Sequence, residues 1–238
     1  MYRCSDLPGI LLIHGFGGNR SEVRPLADHL RGLGCEVVSV QLPGHREDRR
    51  ALGGPEAKAK LWREFVIDQM KELRERHERI VVIGFSMGGL LAAQAVTREA
   101  SAFGIAMVTI NTPVRYWNFA QILRNVKDGG VEAIKRYVGY RKGKSVSGMW
   151  EFRKLLSRTK LRFRNITCPL LVIQSADDDT VWPSSAISIL RKSGTNSRMV
   201  MFPEGGHQIL TSNAAGEVCE AIEEFIREWV FDETSYQL

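Results

Sequence analysis

Ile80-Val81-Val82-Ile83-Gly84-Phe85-Ser86-Met87-Gly88-Gly89 is the stretch on which the fold turns. Four β-branched apolar residues run without a break, a glycine-flanked serine follows, and a helix-like stretch continues over 87–99. A continuous apolar run bounded by turn residues reads as a strand covered on both faces. The chain on either side repeats the alternation. Upstream, Gly9-Ile10-Leu11-Leu12-Ile13 is a second such strand. Residues 21–33 carry Val23, Leu26, Ala27, Leu30 and Leu33 at helical spacing, with Gly34 placed to end the helix. A strand over 36–42 is broken by Pro43-Gly44, and a helix is predicted over 60–76. Downstream, residues 105–110 form a strand. Past Pro113 the pattern is lost over 114–165, then resumes as strand 170–174, helix 184–191, strand 198–202 and helix 214–230.

Strands alternating with helices imply an α/β fold: a mostly parallel sheet of about six strands flanked by helices. The predicted core is 1–113 and 166–238, and 114–165 is a helical insertion. The length of 238 residues suits one domain, and 44% hydrophobic with 25% charged residues is the profile of a globular protein. Cys4, Cys35, Cys168 and Cys219 lie far apart with no C-x-x-C pair, which argues against a zinc site and for reduced, mostly buried thiols. The first apolar run is too short for a signal core or a membrane span, so a cytoplasmic location is expected.

In an open α/β sheet, function gathers at the C-terminal edge of the strands. After 80–83 stands G-x-S-x-G. A serine hydroxyl is a weak nucleophile unless a sharp turn presents it beside a base, and the glycines let the backbone pass closely. The bare pattern is weak, and its place between strand and helix is the stronger signal; an N-capping serine in an ordinary turn is the alternative. After 10–13 comes His14-Gly15-Phe16-Gly17-Gly18, a loop suited to donating backbone N–H groups to a developing oxyanion. The N–H groups of Phe16 and Met87 are the expected donors. After 170–174 come Asp177, Asp178 and Asp179, of which one can orient a histidine and the others are expected to be solvated. After Phe202 comes Gly205-Gly206-His207. Of five histidines, only His207 follows both the serine and the aspartates. His29 and His77 are expected on the surface.

With these residues in view, the chain resembles the α/β-hydrolase superfamily, in particular small bacterial carboxylesterases similar to monoacylglycerol lipases. The resemblance spans nearly the whole chain. It rests on LLIHGFGGN at 11–19, LPGH at 42–45, VVIGFSMGG at 81–89, CPLLVIQSADDDTVWP at 168–183 and GGHQI at 205–209. It implies the α/β-hydrolase fold with a catalytic triad. The family's D-x-x-V-x-P pattern matches Asp178 to Pro183 and so selects Asp178 as the acid, beside Ser86 as nucleophile and His207 as base. The resemblance further implies that 114–165 is a small cap over the site. Two departures stand out: Arg46 follows Gly44-His45 where the family usually reads G-H-G, and the extra antiparallel strands of larger members are expected to be absent.

The resemblance leads us to expect hydrolysis of carboxylic esters of short to medium acyl chains through an acyl-enzyme, with no metal or cofactor. Haloperoxidases, lyases and amidases share the fold, and so could a binding protein without turnover, although such a binder has no reason to keep all three triad residues. Trp117, Ile122 and Tyr137, with Trp182, are candidates to line the acyl pocket, as are Phe119, Leu123, Tyr140, Trp150 and Phe152; packing within the cap is the alternative. Net charge is +6, but 114–165 holds fourteen Lys and Arg against three acids, a net +11, and the rest is −5. Three readings compete: a solvated surface, an acidic partner or substrate such as an acyl carrier protein, coenzyme A or a charged ester, or anionic lipid. The second would make the enzyme a thioesterase or carrier-protein ester hydrolase. No motif points to nucleic acid, and a monomer or homodimer is expected.

Overall fold

The structure is a computed structural model and describes residues 7–45, 58–98, 104–114, 146–194 and 196–231. Its six strands are β1 (Gly9–Ile13), β2 (Val37–Val40), β3 (Ile80–Phe85), β4 (Ile105–Ile110), β5 (Leu170–Ser175) and β6 (Ser197–Phe202). They form one sheet in the order β2-β1-β3-β4-β5-β6. Every pairing is parallel. The described helices are α1 (Arg24–Gly32), α2 (Ala59–Arg74), α3 (Met87–Val96), α4 (Val146–Thr159), α5 (Ser184–Leu190) and α6 (Ala215–Phe231).

The uninterrupted apolar strands are explained by helices on both faces. Leu11, Ile13, Ile80, Val82, Leu170 and Val172 pack with α2, α3, α4 and α5 in one core cluster. Their neighbours Ile10, Leu12, Val81, Ile83, Leu171 and Ile173 point the other way, to α1 and α6. Period-two alternation therefore places apolar residues in both layers. All ten residues of α3 are buried, because it lies between the sheet, α2 and α4.

Local chemistry sets the element ends. Residues 20–22 form a 3-10 turn capped by Asn19 Oδ1, and α1 starts only at Arg24, with proline in its first turn. Gly34 ends α1 as predicted: it holds φ 93°, Gly34 N–H donates to Arg31 O (2.9 Å) and Cys35 N–H to Leu30 O (3.2 Å). This pattern caps the last turn's open carbonyls. Of the predicted insertion, 115–145 lies outside the described residues. Its C-terminal helix, α4, is longer than the expected 150–157, and buried Gln94 on α3 donates to its Thr159 hydroxyl at 2.6 Å.

The strand order reverses between β1 and β3, since β1 runs on to the β2 edge and the chain crosses back to β3. Such switch points open a crevice at the strands' C-terminal ends. The loops after β1 and β3 meet there.

Candidate active site

Ser86 lies between β3 and α3, at the N-cap of α3, with φ 52° and ψ −118°, a conformation sparsely populated by non-glycine residues. The turn is held by Ser86 N–H donating to Ile110 O at 2.8 Å. Its glycines have specific steric reasons. A Cβ on Gly84 would lie 2.3 Å from the Gly88 and Gly89 backbone, and one on Gly88 would lie 2.2 Å from Ile13 O. Only glycine lets helix and strands approach so closely.

The structure brings Ser86, His207 and Asp178 together. His207 Nε2 lies 3.0 Å from Ser86 Oγ, and His207 Nδ1 lies 2.9 Å from Asp178 Oδ2. A carboxylate only accepts, so Nδ1 carries the proton and Nε2 accepts from the serine hydroxyl. Asp178 is fully buried, and its Oδ1 accepts from the N–H groups of Thr180 and Val181, each at 2.8 Å. Gln174 Nε2 adds a donor to Oδ2 at 3.4 Å. This shell of donors fixes the carboxylate. Burial pushes the His207 pKa down, but the Asp178 charge and hydrogen bond, then Asp179 and Glu22, outweigh it and hold the imidazole above its ordinary value.

Met87 follows Ser86 directly, and the loop after β1 that carries Phe16 comes close to the serine, since a Cβ on Gly15 would lie 3.3 Å from Ser86 Cβ. Met87 opens α3, so its N–H belongs to the first turn, where helices leave donors without intrahelical partners. In the loop after β1, Gly15 N–H donates to Glu22 Oε2 (3.0 Å) and Gly18 N–H to Gly15 O (3.3 Å). His14 is buried beneath. It donates through Nδ1 to Gly15 O (2.8 Å) and accepts Leu42 N–H at Nε2 (3.1 Å). Burial first, then nearby His45, takes its pKa down to about 3, so His14 is neutral. It is a strut for the loop.

Beyond the triad, side chains that local patterning does not single out also hold the site. Glu22 joins two loops, accepting from Gly15 N–H and from Gln208 Nε2 (3.3 Å), the residue after His207. Asp177, expected to be solvated, instead accepts Gly206 N–H at 2.7 Å and the Ser175 hydroxyl. Asn111, just past β4, donates to Gly206 O and His207 O, both at 2.9 Å. The sequence signal for Asn111 is its place at the C-terminal end of β4, the same kind of position that marks the loops after β1, β3, β5 and β6.

Trp117, Ile122 and Tyr137, with Phe119, Leu123 and Tyr140, lie outside the described residues. Trp182 is half-buried, and its carbonyl accepts Ser185 N–H at 2.7 Å, which places it at the entry to α5. Trp150 is 59% exposed on α4. Phe152, on the same helix, is buried and stacks on Phe16 with ring centroids 5.3 Å apart. His29, on α1, and His77, three residues past the end of α2, are half-buried rather than fully on the surface, and pair with Glu223 and Glu36, both at 2.8 Å.

A serine on a strained strand–helix turn at a switch point, hydrogen-bonded to a histidine that is itself paired with a carboxylate, defines the α/β-hydrolase class of architecture. The alpha/beta hydrolase family model matches residues 10–221, and the chain belongs to that family. It is 26% identical over 221 residues to a thermostable monoacylglycerol lipase of Bacillus sp. (strain H-257), covering 85% of this chain and 83% of that protein. It is 25% identical over 228 residues to a carboxylesterase of Bacillus subtilis (strain 168), with 91% of each covered. A structure from a study of LipS and LipT, two metagenome-derived lipolytic enzymes, matches with TM-score 0.77 at 21% identity over 96% of both chains. The monoacylglycerol lipase of Paleococcus ferrophilus matches with TM-score 0.69 at 17% identity over 92% of this chain and 95% of that one. These two structures establish the likeness of fold. No described helix is long and apolar enough to cross a membrane.

Proposed function

We infer that the protein hydrolyses carboxylic esters of short to medium acyl chains, with Ser86 as nucleophile, His207 as general base and Asp178 as orienting acid. The observation that carries this reading is the continuous chain of hydrogen bonds from Ser86 Oγ through His207 to Asp178, at 3.0 and 2.9 Å. As Ser86 Oγ attacks the ester carbonyl, its proton passes to His207 Nε2. The oxyanion is held by Phe16 and Met87 N–H groups, each such donor being worth about 10²–10³ in rate. The C–O bond to the alcohol then breaks, and His207 returns the proton to the leaving oxygen. Water gives a proton to the neutral His207 and attacks the acyl-enzyme, the acid departs, and Ser86 regains its proton. The lipase and carboxylesterase named above support an ester substrate, and a 52-residue cap over 114–165 supports a modest acyl chain. Trp117, Ile122, Tyr137 and Trp182 are proposed to line the acyl pocket.

The test is hydrolysis of p-nitrophenyl esters from acetate to palmitate by wild type and Ser86→Ala side by side. A chain-length optimum in wild type, with the variant lower by roughly 10⁴–10⁶-fold, is expected. No turnover by wild type at any length overturns the reading.

The charge distribution favours a second reading of the substrate. Arg153, Lys154, Arg158, Lys160 and Arg164 are all exposed, and the one acid on α4, Glu151, is tied to Lys154 at 2.8 Å and to Ala59 N–H at 3.1 Å. Such a surface suits an anionic partner, so an acidic carrier-protein ester or thioester is the alternative substrate, and anionic lipid a further occupant of that face.

A further inference from the structure

The loop that carries His207 contains two consecutive glycines. Gly205 and Gly206 precede the histidine with φ 135° and 61°, and glycine supplies no side chain to restrain them. Yet His207 must hold two hydrogen bonds at once, one on each ring nitrogen. Its backbone is therefore the point at which precision enters the site.

Two side chains grip that backbone from neighbouring strand ends. Asn111 Nδ2 donates to both Gly206 O and His207 O at 2.9 Å, while its Oδ1 accepts Ser175 N–H at 2.8 Å. Asp177 Oδ1 accepts Gly206 N–H at 2.7 Å and the hydroxyl of the same Ser175. Gly206 is held at both its N–H and its carbonyl, and His207 at its carbonyl. The ends of β4 and β5 thus reach across to the end of β6, and both gripping side chains are braced on one residue, Ser175.

Asn111 is fully buried and holds φ 47°, the left-handed region that asparagine tolerates better than most side chains and glycine better still. Apart from Ser86, it is the one non-glycine residue with positive φ among the described residues. Strain of this kind persists where the surroundings over-determine the residue, and here its hydrogen bonds to Ser175, Gly206 and His207 do so.

We propose that Asn111 and Asp177 are positioning residues that clamp the backbone of Gly206 and His207 and thereby aim the imidazole at Ser86. This rests on the hydrolase reading above. Neither side chain meets the substrate. They act through His207, as supporting groups behind a reacting one do, where misplacement by about 1 Å costs about 10²-fold in rate.

The test compares wild type, Asn111→Gly, Asp177→Ala and Asp177→Asn. Glycine accepts φ 47° without strain, and that relief partly offsets the loss of the acceptor for Ser175 N–H and of the donor to Gly206 O and His207 O, so Asn111→Gly is expected to fold with a Tm loss on the order of 10 °C. The readouts are the low-field Nδ1–H proton resonance of His207, identified by its loss in His207→Ala; the rate of Ser86 labelling by a fluorophosphonate; and kcat and KM for p-nitrophenyl butyrate. In Asn111→Gly and Asp177→Ala the resonance broadens, and labelling and kcat fall by about 10–100-fold with KM within about threefold. Asp177→Asn keeps an oxygen acceptor and recovers most of the loss. If Asn111→Gly unfolds, the two Asp177 variants decide by the same readouts. Folded variants with a sharp resonance and wild-type labelling overturn the clamp. A wild type that hydrolyses no ester overturns the hydrolase reading instead, while the resonance and labelling still report on the clamp.

Discussion

Ser86 stores strain of about 1–3 kcal/mol in its backbone, held by glycines that admit no substitute. Gly88→Ala would drive a methyl group onto Ile13 O, a backbone atom that has no room to yield. The expected cost is about 3 kcal/mol, a Tm loss on the order of 10 °C by thermal melting. His14 and His207, both buried, have pKa values shifted in opposite senses. For His207, the folded pKa is raised. The neutral imidazole is the base, so kcat/KM should fall as pH drops through a midpoint above about 6.5; a midpoint below that value would contradict the geometry around Nδ1. Its contribution to stability is fully present below the unfolded pKa and is lost as pH rises through the folded one. For His14, the folded pKa is depressed to about 3. Between about 6.5 and 3 the unfolded chain binds the extra proton, so stability drops by about 1.4 kcal/mol for each unit that the pH is lowered. Urea unfolding across that range checks it: His14→Ala should be less stable at pH 7 and show a shallower decline.

At the scale of elements, the site is four strand ends and the ties between their loops. The pattern that marks each loop is local: G-x-S-x-G after β3, His-Gly after β1, an aspartate run after β5, Gly-Gly-His after β6. All four were legible because strand periodicity located the ends and the chemistry followed. The ties were not. Glu22 lies in a 3-10 turn and meets Gln208, 186 residues away in the chain, and no spacing rule reaches that far. Glu22→Ala leaves Gly15 N–H without its carboxylate, so the loop after β1, proposed to hold the oxyanion, should loosen. The expected result is a kcat lower by about tenfold with little change in KM, read in steady-state kinetics with p-nitrophenyl butyrate. Glu22→Gln keeps an acceptor and should recover most of the rate while moving the acid limb to lower pH, since it removes one of the charges that raise the His207 pKa.

For the whole molecule, a parallel sheet buried on both faces holds the loops in place, and α4 is tied to the nucleophile helix through Gln94 and Thr159. Charge divides along the same line. Cations lie exposed on α4 and just after it, while the Phe152 ring on the same helix turns inward to Phe16. Screening distinguishes the two substrate readings. If the basic segment recruits an anionic partner, kcat/KM for a carboxylate-bearing ester should fall steeply from about 20 to 500 mM salt while that for neutral p-nitrophenyl butyrate stays level. Equal, flat responses would leave the cations as a solvated surface.

The sequence by itself determined the α/β alternation, the six strands and the order serine, aspartate, histidine, because apolar periodicity and turn chemistry are local properties of the chain. It left three adjacent aspartates unresolved on residue grounds alone and passed over Asn111. Those were decided by tertiary structure: one carboxylate, Asp178, meets His207, and its neighbour Asp177 grips Gly206. The physical reason is that a hydrogen bond depends on distance and direction in space. Only the packing of β4, β5 and β6 side by side sets those, across separations of 29 residues for the aspartates and 96 for Asn111 and His207.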